Sequence, residues 1–272
     1  MSVIIEDEFL GRDYPLTHPR LCYDVPSATL SASDSADGAD PAWLGDGETW
    51  SVWKPDSLPV SINRTYSEPT EIDYIGIAAH TLGRNGCEVR VRFDFGEGFV
   101  ESEGIPDFTP TDDSAILILF EPKTVVGVRF RILSGDIPEV AVFTAGRALE
   151  MPRKSIYTEL PISESEQIRY QHNQSVRGDV LGRRVEGSDL EFSVSIQNLP
   201  ETFRTSDAAV NWRGFKQHIE GTGPFFIATR PASYPDDVAY ARLARQPRFD
   251  RAIPNRRISG EVQLSCVGYR SP

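Results

Sequence analysis

Residues 206–235 read SDAAVNWRGFKQHIEGTGPFFIATRPASYP, and the fold is decided there. Ala208, Trp212, Phe215 and Ile219 recur at steps of four, three and four, which places them on one helical face. Arg213, Lys216, Gln217 and Glu220 take the opposite, wet face. Ser206 or Thr205 stands where a side-chain oxygen can accept the free N–H groups of a first turn. The spacing therefore predicts a helix over 206–220. Gly221 and Gly223 are expected to end it, because glycine takes the backbone angles of a helix terminus at little cost. Pro224-Phe225-Phe226-Ile227 follows as a short apolar strand, and Arg230-Pro231 breaks it. A helix running straight into a buried strand, in a chain otherwise full of strands, predicts a β-sheet with a single helix packed on it.

Upstream of this unit the strand signals are dense. Cys87, Val89, Val91, Phe93 and Phe95 alternate with Glu88, Arg90, Arg92 and Asp94, the period of a half-buried strand. Residues 72–79 and 115–120 read as more fully buried strands, residues 126–132 alternate again, and residues 140–143 close the series. Gly and Pro punctuate between them, so residues 1–145 are expected to form an antiparallel sandwich. Downstream, Leu190, Phe192, Val194 and Ile196 mark a further strand, residues 236–257 an Arg-rich excursion, and residues 258–269 a closing strand.

Charge divides the chain in two. Residues 1–145 carry 10 basic and 25 acidic groups, whereas residues 146–272 carry 18 and 15. With the change of pattern near Gly146, this predicts two domains, 1–145 and 146–272. The net charge of −12 opposes nucleic acid as a partner, since binding phosphates needs clustered Lys and Arg. No apolar run approaches the ~18 residues of a membrane helix, so no membrane insertion is expected. Cys22, Cys87 and Cys266 lie far apart, and are expected to be reduced, buried small hydrophobes of a chain made in the cytoplasm.

Catalytic and metal-binding patterns are not found. His18, His80, His172 and His218 are scattered without ligand spacing, and His80 reads as structural. There is no nucleophile elbow and no glycine-rich phosphate loop, so no enzyme, cofactor or metal is expected. Asp34, Asp37, Asp40 and Asp46 read as solvated loop acids rather than calcium ligands. Arg177-Gly178-Asp179 spells an integrin-type triplet in a Gly-punctuated turn, a combination common by chance. Trp43, Trp50 and Trp53 stand in a Ser/Asp/Gly-rich loop and are the candidates for glycan contact. An indole can stack on the C–H face of a sugar, or it can plug the bottom of a sandwich, and both roles stay open for this trio. Arg242, Arg245, Arg248, Arg251, Arg256 and Arg257 have few acids near them in sequence and are the candidates for an oligomer interface.

Two resemblances attach to these residues. The Trp212-x-x-Phe215 helix, the Gly221-x-Gly-Pro-Phe-Phe226 strand and Tyr234-Pro-Asp-Asp-Val238 resemble the C-terminal half of distal tail proteins, at the tail tip of long-tailed bacteriophages and phage-like particles, over residues 146–269. ATLSASDSADG (28–38), Trp50-x-x-Trp53, EIDYIGIAAHTLG (71–83), VGVRFRIL (126–133) and EVAVFTAGRAL (139–149) resemble a discoidin-type module over residues 21–149. That family is a jelly roll of the galactose-binding class, used to bind glycans or membranes. The resemblances imply a mainly β chain: an N-terminal jelly-roll sandwich, then a C-terminal sandwich or split barrel with one packed helix. They imply a virion structural protein, assembled in the host cytoplasm, that forms a ring of six subunits at the tail tip. Its partners would be itself, the tail tube protein, the hub and baseplate proteins, and a host glycan. The alternative is a carbohydrate-binding module protein that recognises host-surface glycans.

Overall fold

A computed structural model describes residues 3–6, 9–156, 161–252 and 259–269. In chain order the strands are β1 (Val3–Ile5), β2 (Arg20–Asp24), β3 (Thr29–Ala32), β4 (Val60–His80), β5 (Glu88–Asp94), β6 (Phe99–Phe108) and β7 (Ile116–Ser134). They continue as β8 (Val140–Glu150), β9 (Glu166–Gln174), β10 (Val180–Pro200), β11 (Phe225–Ala228), β12 (Val238–Leu243), β13 (Arg248–Ala252) and β14 (Ser259–Gly268). Two helices, α1 (Glu201–Thr205) and α2 (Trp212–Glu220), lie between β10 and β11. The chain is mainly β, as its strand signals imply.

One hydrogen-bonded path runs β6-β5-β7-β4-β8-β2-β11-β12-β14-β10-β9, with β3 on β4, β1 on β7 and β13 on β14. The pairings are antiparallel except that of β1 with β7. The long strands β4 and β7 pair along most of their length with register shifts at Thr65/Thr70 and Ile72/Tyr74. Such bulges bend a strand, so β4 first pairs with β3 and later with β8. The two layers enclose Trp53, Ile75, Val91, Phe93, Phe120, Phe130 and Phe143, the sandwich core.

Two further cores follow in series. Strand β11 is buried on both faces, and its alternation sorts the side chains: Phe225 and Ile227 enter one core, Phe226 and Ala228 the other. The first of these collects Leu21, Phe192, Trp212, Phe215 and Leu264, and the second Cys22, Tyr74, Leu117, Phe226 and Tyr240. Gly76 is required where the layers meet, because a Cβ there would stand 2.4 Å from the Phe226 ring. Strand β2, from the acidic half, lies between β8 and β11. Residues 145 and 146, where charge and pattern change, fall inside β8.

The helix differs from its expected span. Residues 206–210 precede it, and the N-cap is Asn211, whose side-chain Oδ1 accepts from Gly214 N–H at 2.8 Å. Ser206 Oγ instead accepts from Ala208 N–H in a local turn. The Tyr23 hydroxyl fixes the start by bonding both the backbone N–H and C=O of Asn211. At the other end the left-handed residue is Thr222 (φ 62°), not a glycine. Gly223 is needed for space, since a Cβ would meet the His218 ring at 2.4 Å. Trp212 and Phe215 are buried as the spacing predicts, and each such aromatic contributes about 1.5–3 kcal/mol. The Arg-rich excursion contains β12: Val238 and Tyr240 face one core, Ala239 and Ala241 the other.

Candidate functional site

Residues 33–57 are rich in Ser, Asp and Gly, yet side-chain hydrogen bonds and two apolar anchors hold them in one shape. The Asp34 carboxylate accepts from Ser57 N–H (2.8 Å) and Ser57 Oγ–H (2.9 Å), which closes the loop at its base and lowers the Asp34 pKa. Asp40 caps the 3₁₀ turn Pro41–Gly45 by accepting from Ala42 N–H, and Leu44 of that turn is buried in the sandwich core. Asp46 accepts from Glu48 N–H at 2.7 Å. The far end of the loop is tied to β12: the Tyr240 hydroxyl donates to Gly47 C=O (2.8 Å), and Arg242 pairs with Glu48 (2.8 Å).

The three tryptophans of this loop separate into two roles. Trp53 is fully buried, exchanges backbone hydrogen bonds with Val140, and donates its indole N–H to Ser35 Oγ at 2.8 Å. It is a plug of the sandwich core. Trp43 and Trp50 point outward, 36% and 78% exposed. The sequence alone does not sort the trio, because all three share the same loop composition. What distinguishes Trp53 is its non-local pairing with β8. The result is a pinned loop that presents two indoles, with Asp40, Asp46 and Glu48 on the same stretch of chain. An indole face held in place supplies stacking surface at little entropic cost, and carboxylates accept hydrogen bonds from hydroxyls.

The arginine group is dispersed. Arg242 is engaged by Glu48 and by Thr222 C=O within the chain. Arg245 donates through Nε to Ser265 Oγ. Arg248 and Arg251 lie in β13, opposite Gln263 and Gly260 of β14. Arg256 and Arg257 lie outside the described residues.

Two clefts lie elsewhere among the described residues. One, of about 390 Å³, is lined by Arg84, Asp112, Asp113, Glu166, Asp236 and Tyr269. His80 lies beneath it with Nε2 on Ser114 C=O and Nδ1 accepting from Leu82 N–H. Burial lowers its pKa to about 4, so it stays neutral near pH 7, as a structural histidine does. The other cleft, of about 400 Å³, lies between Arg12, Tyr14, Arg147, Glu150, Asn211 and Trp212. Its charges are structural. Glu150 accepts from the N–H groups of Arg12, Asp13 and Tyr14 and pairs with buried Arg20 at 3.5 Å. Behind it Asp73 accepts from Ala148 N–H and faces Arg12 at 3.4 Å, and desolvation raises its pKa to about 7. Among the described residues no three His, Cys, Asp or Glu side chains are arranged to hold a metal ion. No described helix is long and apolar enough to cross a membrane.

No family model matches the chain, and no curated protein matches it either. Solved structures with a similar fold include a family 32 carbohydrate-binding module of Clostridium perfringens NanJ in complex with galactose. It is 16% identical with a TM-score of 0.40, over 46% of this chain and 98% of that one. A second module from Clostridium perfringens, in complex with GalNAc-β-1,3-galactose, is 15% identical with a TM-score of 0.38, over 44% and 94%. A Ruminococcus gnavus family 29 fucosidase is 12% identical with a TM-score of 0.38, over 45% of this chain and 25% of the enzyme. These are likenesses of fold over less than half of the chain.

Proposed function

We propose that the protein is a non-catalytic carbohydrate-binding protein whose contact surface is the loop bearing Trp43 and Trp50. The observation that carries the reading is the outward-facing Trp50 indole, 78% exposed on a loop anchored inward by Leu44 and Trp53. Leaving a large aromatic in water has a cost, and a pinned exposed indole is suited to stack on a sugar ring. A glycan array of the whole chain tests it. Binding is expected for the wild type and is expected to fall at least tenfold in Trp50→Ala with the melting temperature unchanged. Trp53→Ala is expected to lower the melting temperature instead, because it empties a core site. An array without binding, or binding indifferent to Trp43→Ala/Trp50→Ala, contradicts the proposal.

A second reading makes the chain a structural subunit of a phage tail tip, with the glycan surface turned toward the host. The observation in its favour is an arm of β9 and the first half of β10, which pairs with nothing but itself among the described residues and suits subunit joining. Imaging of particles labelled on this chain tests it. Label at the distal end of the tail is expected, and label absent from the particle contradicts it.

A further inference from the structure

The 3₁₀ turn Pro41–Gly45 sets the surroundings of Trp43. Two successive i→i+3 bonds build it, from Trp43 N–H to Asp40 C=O and from Asp46 N–H to Trp43 C=O, each 3.1 Å. Side chains three residues apart eclipse in such a turn. With Leu44 sealed in the core, the outward Trp43 indole therefore stands between two carboxylates, Asp40 before it and Asp46 after it. Each acid spends one oxygen on the loop: Asp40 Oδ1 accepts from Ala42 N–H and Asp46 Oδ1 from Glu48 N–H. Both residues are exposed, so Oδ2 of each is open to a ligand.

The charge of the stretch is one-sided. Residues 34–50 carry five acids, Asp34, Asp37, Asp40, Asp46 and Glu48, and no Lys, Arg or His. The bases that reach it are committed within the chain. Arg242 is held by Glu48 at 2.8 Å, Lys54 by Glu139 at 3.7 Å, and buried Arg64 donates inward to Pro26 and Phe143 C=O. An anionic sugar meets like charge here. A cation is drawn both to the face of an indole and to the carboxylates beside it. A primary ammonium also has N–H groups to give those carboxylates, whereas a quaternary one has none and is usually enclosed by several aromatic rings. We propose that the glycan taken by this loop is a polymer of amino sugars with free amines, one ammonium lying against Trp43 between Asp40 and Asp46. The inference rests on the carbohydrate-binding reading and adds to it the charge of the ligand.

Calorimetric titration of the whole chain at about pH 6, where the amine carries its proton, tests it with three oligosaccharides of equal length: glucosamine, N-acetylglucosamine and galacturonic acid. The glucosamine oligomer is expected to bind about tenfold tighter than the acetylated one, the galacturonate weakest, and the advantage to shrink with added salt. Asp40→Asn/Asp46→Asn keeps both backbone hydrogen bonds, because an amide oxygen accepts as a carboxylate oxygen does. This variant is expected to hold its melting temperature and its binding of the acetylated oligomer, and to lose the preference for the free amine. Equal binding of the amino and acetylated oligomers, tighter binding of the galacturonate, a preference that survives in the double variant, or displacement of the glucosamine oligomer by an equal concentration of choline overturns the proposal and leaves the carbohydrate-binding reading standing. A chain that binds none of the three oligomers, nor any glycan on the array, removes both.

Discussion

Asp73 and His80 are both buried and are shifted in opposite senses. Desolvation raises Asp73 to about 7, so the native chain keeps a proton that the unfolded chain has released. Its contribution to stability is complete below the unfolded value near pH 4 and is lost as pH rises to about 7. His80 is lowered to about 4, so its contribution is complete above pH 6.5 and is lost as pH falls toward 4. The two slopes oppose each other across one window. Asp73→Asn is therefore expected to make stability rise more steeply between pH 4 and 7 than in the wild type, by up to about 1.4 kcal/mol per pH unit. Urea midpoints at pH 4.5 and 6.5 check it, and an unchanged difference between them counts against the assigned burial. At this scale the sequence was partly legible. Scattered histidines without ligand spacing point to a structural His80. The acid beside Arg12 could not be singled out among the 40 acidic residues of the chain, because its burial depends on β2 and β8 meeting it from distant parts of the chain.

Helix α2 shows which part of an element is local and which is not. Its buried face was legible from Trp212 and Phe215, because helical periodicity is a property of neighbouring residues. Its start was not. Ser206 and Asn211 are both good caps by type, and the choice is made by Tyr23 of β2, 188 residues away. Asn211→Ala is expected to cost about 1 kcal/mol, and Trp212→Ala roughly 3–5 kcal/mol. Both are read from denaturant midpoints, and a Trp212→Ala chain as stable as the wild type contradicts the packing of α2 on the sheet. Strand β12 was missed for a related reason. Its alanines and arginine mute an alternation that only two facing cores make necessary.

At the scale of the molecule, three cores stand in series across one sheet path. The sandwich was legible from its alternating strands, but the insertion of β2 between β8 and β11 was not, since strand order is fixed by non-local packing. The division at 145/146 is a statement about folding units, and unfolding tests it. With Phe226 seated against Gly76 and Tyr240, the expected result is one thermal transition with the same midpoint at Trp53 and Trp212. Fragment 1–145 alone would leave Cys22 and Tyr74 without Phe226, and is expected to melt well below the whole chain. Two separated transitions would show instead that the halves fold independently.

The glycan-binding surface is tested most directly by the indole N–H signals of the four tryptophans in a proton–nitrogen NMR spectrum, followed as a sugar selected on the array is added. Trp50 is expected to move most and Trp43 with it, while Trp53 and Trp212, sealed in two different cores, stay in place. A titration that moves Trp212 or Trp53 and leaves Trp50 still would contradict the account.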